Sequence, residues 1–174
     1  MRIISGEHKG KRLIAPKKLP VRPTTDRAKE ALFNIFENRY YFDNKTVLDL
    51  FSGTGNIGYE FASRGCKEIV AIDNNQNCLN YIKETAKNLD LNISTTQSDC
   101  VKYLNTCNQR FNFIFADPPY DYSKYHALKD IIFKKKLVKE DGCLVIEHNK
   151  DTVFEGDNIE LRKYGTVHFS IFSF

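Results

Sequence analysis

The most constraining feature of the sequence is an apolar run that passes directly into a glycine-rich turn. Residues 47–51 have the composition of a buried strand, and residues 53–58 follow with a Gly-x-Gly-x-x-Gly pattern that begins a helix. Glycines permit this tight turn and allow a ligand to lie against the backbone, where side chains would collide. The pattern predicts a site for NAD, FAD or S-adenosylmethionine, or simply a tight strand-to-helix connection.

From residue 46 onward, short apolar runs alternate with helical patterns, which is typical of a parallel sheet covered by helices. The predicted strands span residues 46–51, 68–72, 93–97, 111–116 and 144–148. The predicted helices span residues 57–63, 76–89, 101–105 and 125–133. Right-handed crossovers would build a doubly wound sheet, with ligand crevices at the carboxyl ends of its strands.

The sequence patterns at both ends of the chain predict hairpins. Residues 158–164 and 167–174 alternate in polarity around Gly165, which predicts an antiparallel hairpin that closes the sheet. A parallel sheet with a C-terminal antiparallel hairpin is the Rossmann-like α/β arrangement of class I S-adenosylmethionine-dependent methyltransferases. Residues 2–5 and 11–15 predict an N-terminal β-hairpin extension with Gly6 and Gly10 at its turn. Thr24 or Thr25 is then expected to cap a helix.

Length and composition are those of one domain, here residues 1–174. The chain is 41% hydrophobic, and no stretch approaches the roughly 18 apolar residues of a membrane-spanning helix. Its charged start differs from a signal peptide, so a cytoplasmic location is expected, with no membrane partner. The five cysteines are scattered without a C-x-x-C pair, which favours free thiols over the alternatives of a zinc site or a disulfide framework.

Charge is unevenly distributed along the chain. Residues 1–29 hold nine of the 26 Lys and Arg residues but two of the 22 acidic ones, which gives +7 there and −3 in the remainder. Concentrated positive charge suits a polyanion, because each neutralised phosphate releases counterions. A solvated basic tail is the alternative interpretation.

Acidic residues lie near the carboxyl ends of the first three strands of the pattern. Asp73 lies 20 residues beyond Gly53, where a carboxylate can accept hydrogen bonds from ribose hydroxyls; a helix cap is its alternative role. Asp49 would face the cationic amino-acid moiety of S-adenosylmethionine, whereas it would repel a dinucleotide's pyrophosphate. Asp99 can accept the adenine amino group or form an ordinary Asx turn.

The most informative motif is Asp117-Pro118-Pro119-Tyr120, directly after an apolar strand. An exocyclic base amine is a poor nucleophile, because its lone pair is delocalised into the ring. Asp117 and the Pro118 carbonyl can each accept one N–H and so align the nitrogen for in-line displacement. The prolines restrict the backbone, and Tyr120 offers a flat face to an extruded base. A rigid loop with a packed tyrosine is the structural alternative.

The sequence resembles the RsmD family of bacterial small-subunit rRNA guanine-N2 methyltransferases. The resemblance is carried by residues 1–6, by Lys9-Gly10-Lys11-Arg12-Leu13, by the stretch from Arg22-Pro23-Thr24-Thr25 to Asn34, by residues 48–58 and by residues 117–120. The stretch from residue 22 to 34 is the most specific, since generic methyltransferases lack it. Members often have Phe where this chain has Tyr120.

The resemblance implies a set of site residues and a partner. Asp49, Gly53, Gly55, Asp73 and Asp99 would line the cofactor pocket, and residues 117–120 would hold the guanine. The cofactor site is further taken to include Thr25, Phe51, Asn74 and Cys100. Substrate contacts are expected from Arg2, Lys9, Lys11, Arg12, Arg22, Thr24 and Arg27. The resemblance implies 16S rRNA in an assembling small subunit as substrate, and a monomer is expected.

Two other functions remain open at this point. Asp-Pro-Pro-Tyr also serves adenine-N6 methylation of DNA or RNA, although a DNA enzyme would usually need an added recognition domain. A non-catalytic RNA-binding module could keep the same fold, although it would have no physical need for Asp49, Asp73 and Asp117 together. Because no cysteine lies in the Asp117–Tyr120 loop, direct transfer without a covalent intermediate is the simpler mechanism.

Overall fold

The computed structural model describes residues 1–16, 19, 25–119 and 121–174. In this part of the chain the helices are α1 (Asp26–Glu37), α2 (Asn56–Ser63), α3 (Gln76–Asn88), α4 (Cys100–Thr106) and α5 (Tyr125–Lys134). The strands are β1 (Thr46–Leu50), β2 (Glu68–Asp73), β3 (Ile93–Gln97), β4 (Phe111–Ala116), β5 (Val138–His148), β6 (Ile159–Tyr164) and β7 (Val167–Ser173). No described helix is long and apolar enough to cross a membrane.

The strands form one sheet in the order β3-β2-β1-β4-β5-β7-β6. The first five strands are parallel, whereas β7 runs antiparallel to both β5 and β6. This arrangement confirms the predicted class I fold, in which an antiparallel hairpin closes a parallel sheet. Apart from β5, the predicted strands and helices from residue 46 onward agree with the structure to within one residue at each end.

Strand β5 begins at Val138, six residues before the prediction. Residues 139–142 are Lys, Glu, Asp and Gly, a polar composition that indicates a turn. In the structure they form an irregularity in the β4–β5 ladder, where pairing shifts between Phe111 and Phe113. Asp141 takes a positive φ of 59° there. Strand β5 nevertheless begins at Val138, because Val138 pairs with Phe111 of β4 before the shift. Local composition does not reveal this long-range contact.

The predicted N-terminal hairpin is present only as a short antiparallel contact. One bridge joins Arg2 to Arg12, and the Ile3 amide donates to the Lys11 carbonyl at 3.0 Å. The prediction that residues 2–5 and 11–15 form full strands was therefore wrong. Beyond Ile3 the backbone amides of Ile4 and Ser5 donate to the Glu60 carboxylate of α2, at 2.8 and 3.0 Å, instead of to the opposite strand.

The turn of this hairpin packs against the end of α2. Gly6 and Gly10 both have positive φ, a backbone conformation that glycine adopts readily in turns. A Cβ on Gly6 would lie 1.8 Å from the carbonyl oxygen of Ser63, so only glycine allows this close approach. The Glu7 amide donates to the same carbonyl at 2.8 Å. The basic hairpin is therefore attached to the helix that follows the glycine-rich turn.

A buried ion pair joins the hairpin to α1 and α2. Lys29 Nζ lies 3.3 Å from Glu60 Oε2, and both side chains are 0% exposed. The Lys29 ammonium also donates to the Arg2 carbonyl at 2.6 Å and to Asn56 Oδ1 at 2.8 Å. Burial lowers the pKa of Lys29, while the charge of Glu60 opposes that shift. This cluster fixes residues 2–5 beside the first turn of α2.

Apolar side chains cover both faces of the sheet. One cluster packs α4 and α5 against one face, and a second packs α1 and α2 against the other, with β4 buried throughout. Such continuous burial is typical of central parallel strands. The five cysteines are unpaired, as predicted, and all of them are buried: Cys66, Cys78, Cys100, Cys107 and Cys143.

Candidate active site

A cavity of about 680 Å³ opens at the carboxyl ends of β1, β2, β4 and β5. Open α/β sheets bind ligands at this edge because the loops after parallel strands converge there. The volume is within the range of sites for drug-sized molecules. Among the described residues, no group of three or more His, Cys, Asp or Glu side chains is arranged to hold a metal ion.

Most of the predicted cofactor residues line this cavity. Eight of them do so: Thr25, Asp49, Phe51, Gly53, Asp73, Asn74, Asp99 and Cys100. The predicted catalytic residues Asp117, Pro118 and Pro119 line it as well. Tyr120, the last residue of that motif, lies outside the described residues. One cavity therefore brings together the glycine-rich turn and the Asp-Pro-Pro loop, which are about 60 residues apart in the sequence.

Other predicted residues lie elsewhere. Gly55 is not among the residues that line the cavity; a Cβ there would lie 2.9 Å from Ile82 and Tyr59, so packing requires this glycine. The remaining described substrate residues have exposed side chains away from the lining: Arg2, Lys9, Lys11, Arg12 and Arg27. Arg22 and Thr24 lie outside the described residues.

Asp73 fixes the glycine-rich turn. Its Oδ2 accepts from the Gly53 amide at 2.8 Å, and its Oδ1 accepts from the Asn75 amide at 2.8 Å. The predicted alternative, that Asp73 caps α3, was wrong, because Asn75 is the cap and accepts from Asn77 and Cys78. Each carboxylate oxygen of Asp73 has a second lone pair, so the residue can still accept a hydrogen bond from a ligand.

Asp49 places a buried carboxyl group in the floor of the cavity. The residue is only 2% exposed, and Oδ2 accepts from the Gly58 amide at 3.1 Å. Burial raises the pKa of Asp49 to about 8; the Gly58 hydrogen bond opposes this shift, and the charges of Asp117 and Asp73 add to it. A cation in the cavity would favour the ionised carboxylate. An ionised Asp49 would therefore attract a positively charged group more strongly than an anion.

Aromatic rings form one wall of the cavity. Phe51 adopts φ of 58°, which is uncommon for a residue other than glycine. Its ring meets Tyr122 edge to face at 5.3 Å, and Tyr122 meets Tyr125 in the same manner at 5.3 Å. Burial raises the pKa of Tyr122 to about 12. Among the described residues, the buried oxygens Tyr122 Oη and Ser52 Oγ have no hydrogen-bond partner, which leaves two polar atoms for a ligand.

Asp99 and Cys100 begin α4 beside these rings. Asp99 caps the helix, since Oδ1 accepts from the Lys102 amide at 2.9 Å. Its exposed side chain also lines the cavity, so capping and ligand binding are compatible roles. Burial raises the pKa of the Cys100 thiol to about 12, which keeps it a neutral, small wall residue.

The Asp-Pro-Pro loop leaves the sheet at β4. The Asp117 amide lies 3.4 Å from the Leu50 carbonyl of β1, which continues the parallel ladder one residue further. Pro118 is buried, and the Pro119 carbonyl accepts from the Tyr122 amide at 2.8 Å. Asp117 is half-buried and contributes to the raised pKa of Asp49, so the two carboxyl groups face one cavity.

His148, which sequence reasoning did not select, also lines the cavity. Its Nδ1 lies 2.7 Å from the Asn149 carbonyl, and its Nε2 lies 2.8 Å from Ser170 Oγ. Because a carbonyl only accepts, Nδ1 carries a proton, and in the neutral ring Nε2 accepts from the serine. Burial lowers the pKa of His148, which favours this neutral form. Both ring nitrogens are engaged, so the residue is a structural element of the wall.

Sequence reasoning missed two further groups of lining residues. Glu147, His148 and Asn149 lie at the end of β5, and the rule that selected the acids after the earlier strands could have found them. Thr166 and Val167 approach from the β6–β7 turn, which no local signal connects to the site. Their position depends on the antiparallel pairing of β7 with β5.

The fold and this cavity together define a class I methyltransferase architecture. A protein family described as "Conserved hypothetical protein 95" matches residues 1–173. The chain therefore belongs to this family, which is the RsmD family that the sequence motifs indicated.

Curated relatives and a solved structure agree with this assignment. YlbH of Bacillus subtilis (strain 168), whose name proposes an rRNA methyltransferase, is 35% identical over 99% of this chain and 98% of its own length. Ribosomal RNA small subunit methyltransferase D of Buchnera aphidicola subsp. Acyrthosiphon pisum is 30% identical over 85% and 78% of the two chains. The structure of a hypothetical protein from Thermus thermophilus has a TM-score of 0.88 at 28% identity and covers 100% of this chain and 99% of its own.

Proposed function

We propose that this protein transfers a methyl group from S-adenosylmethionine to the exocyclic N2 amine of a guanine in 16S rRNA. The observation that carries the proposal is the shared cavity, in which a buried carboxyl group at Asp49 faces the Asp117-Pro118-Pro119 loop. Asp49 would match a cationic cofactor, and Asp117 would match the amine that accepts the methyl group. The same loop alone would also suit an adenine N6 amine.

The lining residues fit the cofactor. Asp49 suits its cationic amino-acid end, and Asp73 retains lone pairs for ribose hydroxyls. Phe51 and Cys100 give an apolar wall for the adenine, with Asp99 at its edge as an acceptor. The unsatisfied oxygen of Tyr122 is a further polar contact for a bound molecule. A dinucleotide is disfavoured, because its pyrophosphate would meet the Asp49 carboxyl group.

Bound S-adenosylmethionine supplies an electrophilic methyl group on a sulfonium. Asp117 and the Pro118 carbonyl each accept an N–H of the target amine, which orients the nitrogen lone pair toward that methyl group. Tyr120 is proposed to stack on the extruded base. The methylated nitrogen would then lose one proton to solvent water, so no strong general base is needed. The doubly engaged, neutral His148 is consistent with that mechanism.

The RNA substrate is proposed from charge and from the relatives' names. Arg2, Lys9, Lys11 and Arg12 have exposed side chains on the hairpin beside α2, where they can contact phosphates. We further propose that Arg22, Thr24 and Arg27 approach substrate or cofactor. In this proposal residues 1–174 act as one methyltransferase domain, with residues 1–29 as its basic covering segment. The enzyme would act as a cytoplasmic monomer on an assembling small subunit.

Transfer of labelled methyl from S-adenosylmethionine to small ribosomal subunits from cells that lack this protein tests the proposal. Nucleoside mass spectrometry of the product is expected to give N2-methylguanosine. N6-methyladenosine would overturn the base assignment in favour of an adenine-N6 enzyme. Absence of label despite cofactor binding would overturn the catalytic proposal in favour of a binding module.

A further inference from the structure

Five carboxyl groups line the cavity: Asp49, Asp73, Asp99, Asp117 and Glu147. The proposed reaction gives the first three to the cofactor and Asp117 to the amine that accepts the methyl group. Glu147 has no part in that scheme, although it lies half-buried at the end of β5. Carboxylates in clefts commonly bind ligands, so the position of Glu147 relative to Asp117 is informative.

Sheet register brings Glu147 next to Asp117. Strands β4 and β5 are parallel, and Ala116 pairs with Ile146, so the following residues of both strands lie at the same level. Adjacent strands are about 4.8 Å apart, and residues in register direct their side chains to the same face. Two positions earlier, Phe115 and Val145 pack together in the cluster beneath α1 and α2. By this alternation Asp117 and Glu147 extend the same face into the cavity.

Two neighbouring acceptors match the edge of guanine. On its Watson–Crick edge guanine presents the N1–H donor directly beside the N2 amine. Adenine presents an N1 acceptor beside its N6 amine, and that lone pair would be repelled by a carboxylate. A buried site that hydrogen-bonds a substrate N–H rejects analogues that lack it by large factors, because its polar group is then left unpaired. A second acceptor beside Asp117 would therefore discriminate between the two bases.

We infer that Glu147 is the residue that selects guanine, through a hydrogen bond accepted by its carboxylate from N1–H while Asp117 accepts from the N2 amine. This inference rests on the proposed function and specifies how its base is recognised. It assigns the choice of base to the end of β5 rather than to the Asp-Pro-Pro loop, which suits either exocyclic amine.

The test compares two bases and two side chains. Small subunits are reconstituted with either guanine or 2-aminopurine at the nucleotide that the wild-type protein methylates. The analogue keeps the amine at C2 but has an unprotonated N1. Single-turnover rates are measured for wild type, for Glu147→Gln and for Glu140→Gln, an exposed residue near the start of the same strand.

Wild type and Glu140→Gln should both prefer guanine by about 100-fold or more. Glu147→Gln should slow methylation of guanine by about tenfold, because a neutral amide oxygen accepts from N1–H more weakly than a carboxylate does. The preference for guanine should fall below about tenfold, because the amide can also rotate and donate to the unprotonated N1 of the analogue. Affinity for S-adenosylhomocysteine should stay within about twofold of wild type, which verifies that the variant is folded.

Three results would contradict the inference in distinguishable ways. If wild type produces N2-methylguanosine but Glu147→Gln keeps the full preference for guanine, Glu147 does not select the base, although the proposed function stands. Loss of cofactor affinity in Glu147→Gln would assign the residue to the cofactor site instead. If wild type forms N6-methyladenosine or no product, the proposed function fails, and this inference fails with it.

Discussion

At the scale of single residues, the burial of Asp49 has two consequences. Its folded pKa of about 8 is above its ordinary value of 3.8, so its contribution to stability is fully present below about pH 4. That contribution is lost as pH rises through about 8, because the folded protein then holds an ionised carboxylate away from water. A cationic ligand beside Asp49 would compensate for this cost, so we expect ligand binding and the ionisation of Asp49 to be coupled.

Asp49→Asn should therefore stabilise the unliganded protein while weakening cofactor binding. The gain in Tm should be larger at pH 9 than at pH 5, since the penalty for ionised Asp49 develops between those values; each 1 kcal/mol corresponds to roughly 2–4 °C. Thermal unfolding at both pH values, with and without S-adenosylhomocysteine, measures both effects. Asp90→Asn, at an exposed position after α3, is the matched control. An equal gain at the two pH values would show that Asp49 does not titrate in this range.

Asp117→Ala should separate catalysis from cofactor binding. Methyl transfer to small subunits should fall by about 100-fold or more, because the amine loses one of the acceptors that orient it. Calorimetric affinity for S-adenosylhomocysteine should remain close to wild type. Asp121→Ala, an exposed residue of the same loop, should change neither quantity. Loss of cofactor affinity in Asp117→Ala would contradict the role given to this residue.

At the scale of elements, the N-terminal hairpin depends on α2 for its hydrogen bonds. Glu60 accepts from the amides of Ile4 and Ser5 and neutralises Lys29, and its Oε1 also accepts from Arg64 Nε at 2.9 Å. Removing one partner of a buried ion pair leaves a desolvated charge without compensation. The hairpin and the first turn of α2, which borders the cavity through Asn56, should therefore lose order together.

Glu60→Gln should lower the free energy of unfolding by about 3–5 kcal/mol. Hydrogen exchange should accelerate first at the amides of Ile4 and Ser5, because they lose the carboxylate acceptor. Urea unfolding and exchange mass spectrometry check the two effects. Glu30→Gln, an exposed neighbour of Lys29 on α1, should be neutral. Adding Lys29→Met to Glu60→Gln should recover part of the loss; a further loss would show that charge imbalance is not the cause.

At the scale of the whole molecule, the positively charged N-terminal segment and the acidic cavity are separate regions that touch each other. The +7 of residues 1–29 contrasts with −3 in the remainder, while the cavity itself is lined by acids. Positive charge beside an acidic pocket would hold the RNA backbone without competing for the cationic cofactor. The Met1 sulfur lies 3.7 Å from Thr54 Oγ1, so the hairpin touches a residue that lines the cavity.

Replacing Lys9, Lys11 and Arg12 together by Ala should weaken binding to 16S rRNA. The slope of log affinity against log salt should become shallower by about 2–3, since each lost phosphate contact removes nearly one released counterion. Filter binding over a series of salt concentrations measures this slope. A control removes three exposed lysines elsewhere, Lys67, Lys83 and Lys87. Unchanged binding at low salt would show that the hairpin is only structural.

Much of the fold was predictable, because it depends on local signals. Runs such as β4 are continuously apolar, Thr25 caps α1 through a bond from the Ala28 amide at 3.3 Å, and the glycines mark the turns. The start of β5 was not predictable, because its polar bulge resembles a turn. The extent of the N-terminal strands was also missed, since Glu60 lies 55 residues or more from the amides that it binds.

The sequence by itself determined the order and bounds of most helices and strands, the family and the acids after the first strands. These follow from periodicity, turn chemistry and short motifs, which act over a few residues. Only the tertiary structure decided that Gly55 serves packing, that both ring nitrogens of His148 are hydrogen-bonded, and that Ala116 pairs with Ile146, which brings the ends of β4 and β5 together. Those facts depend on which strands pair and in what register, because side chains from distant segments meet only when the sheet is assembled.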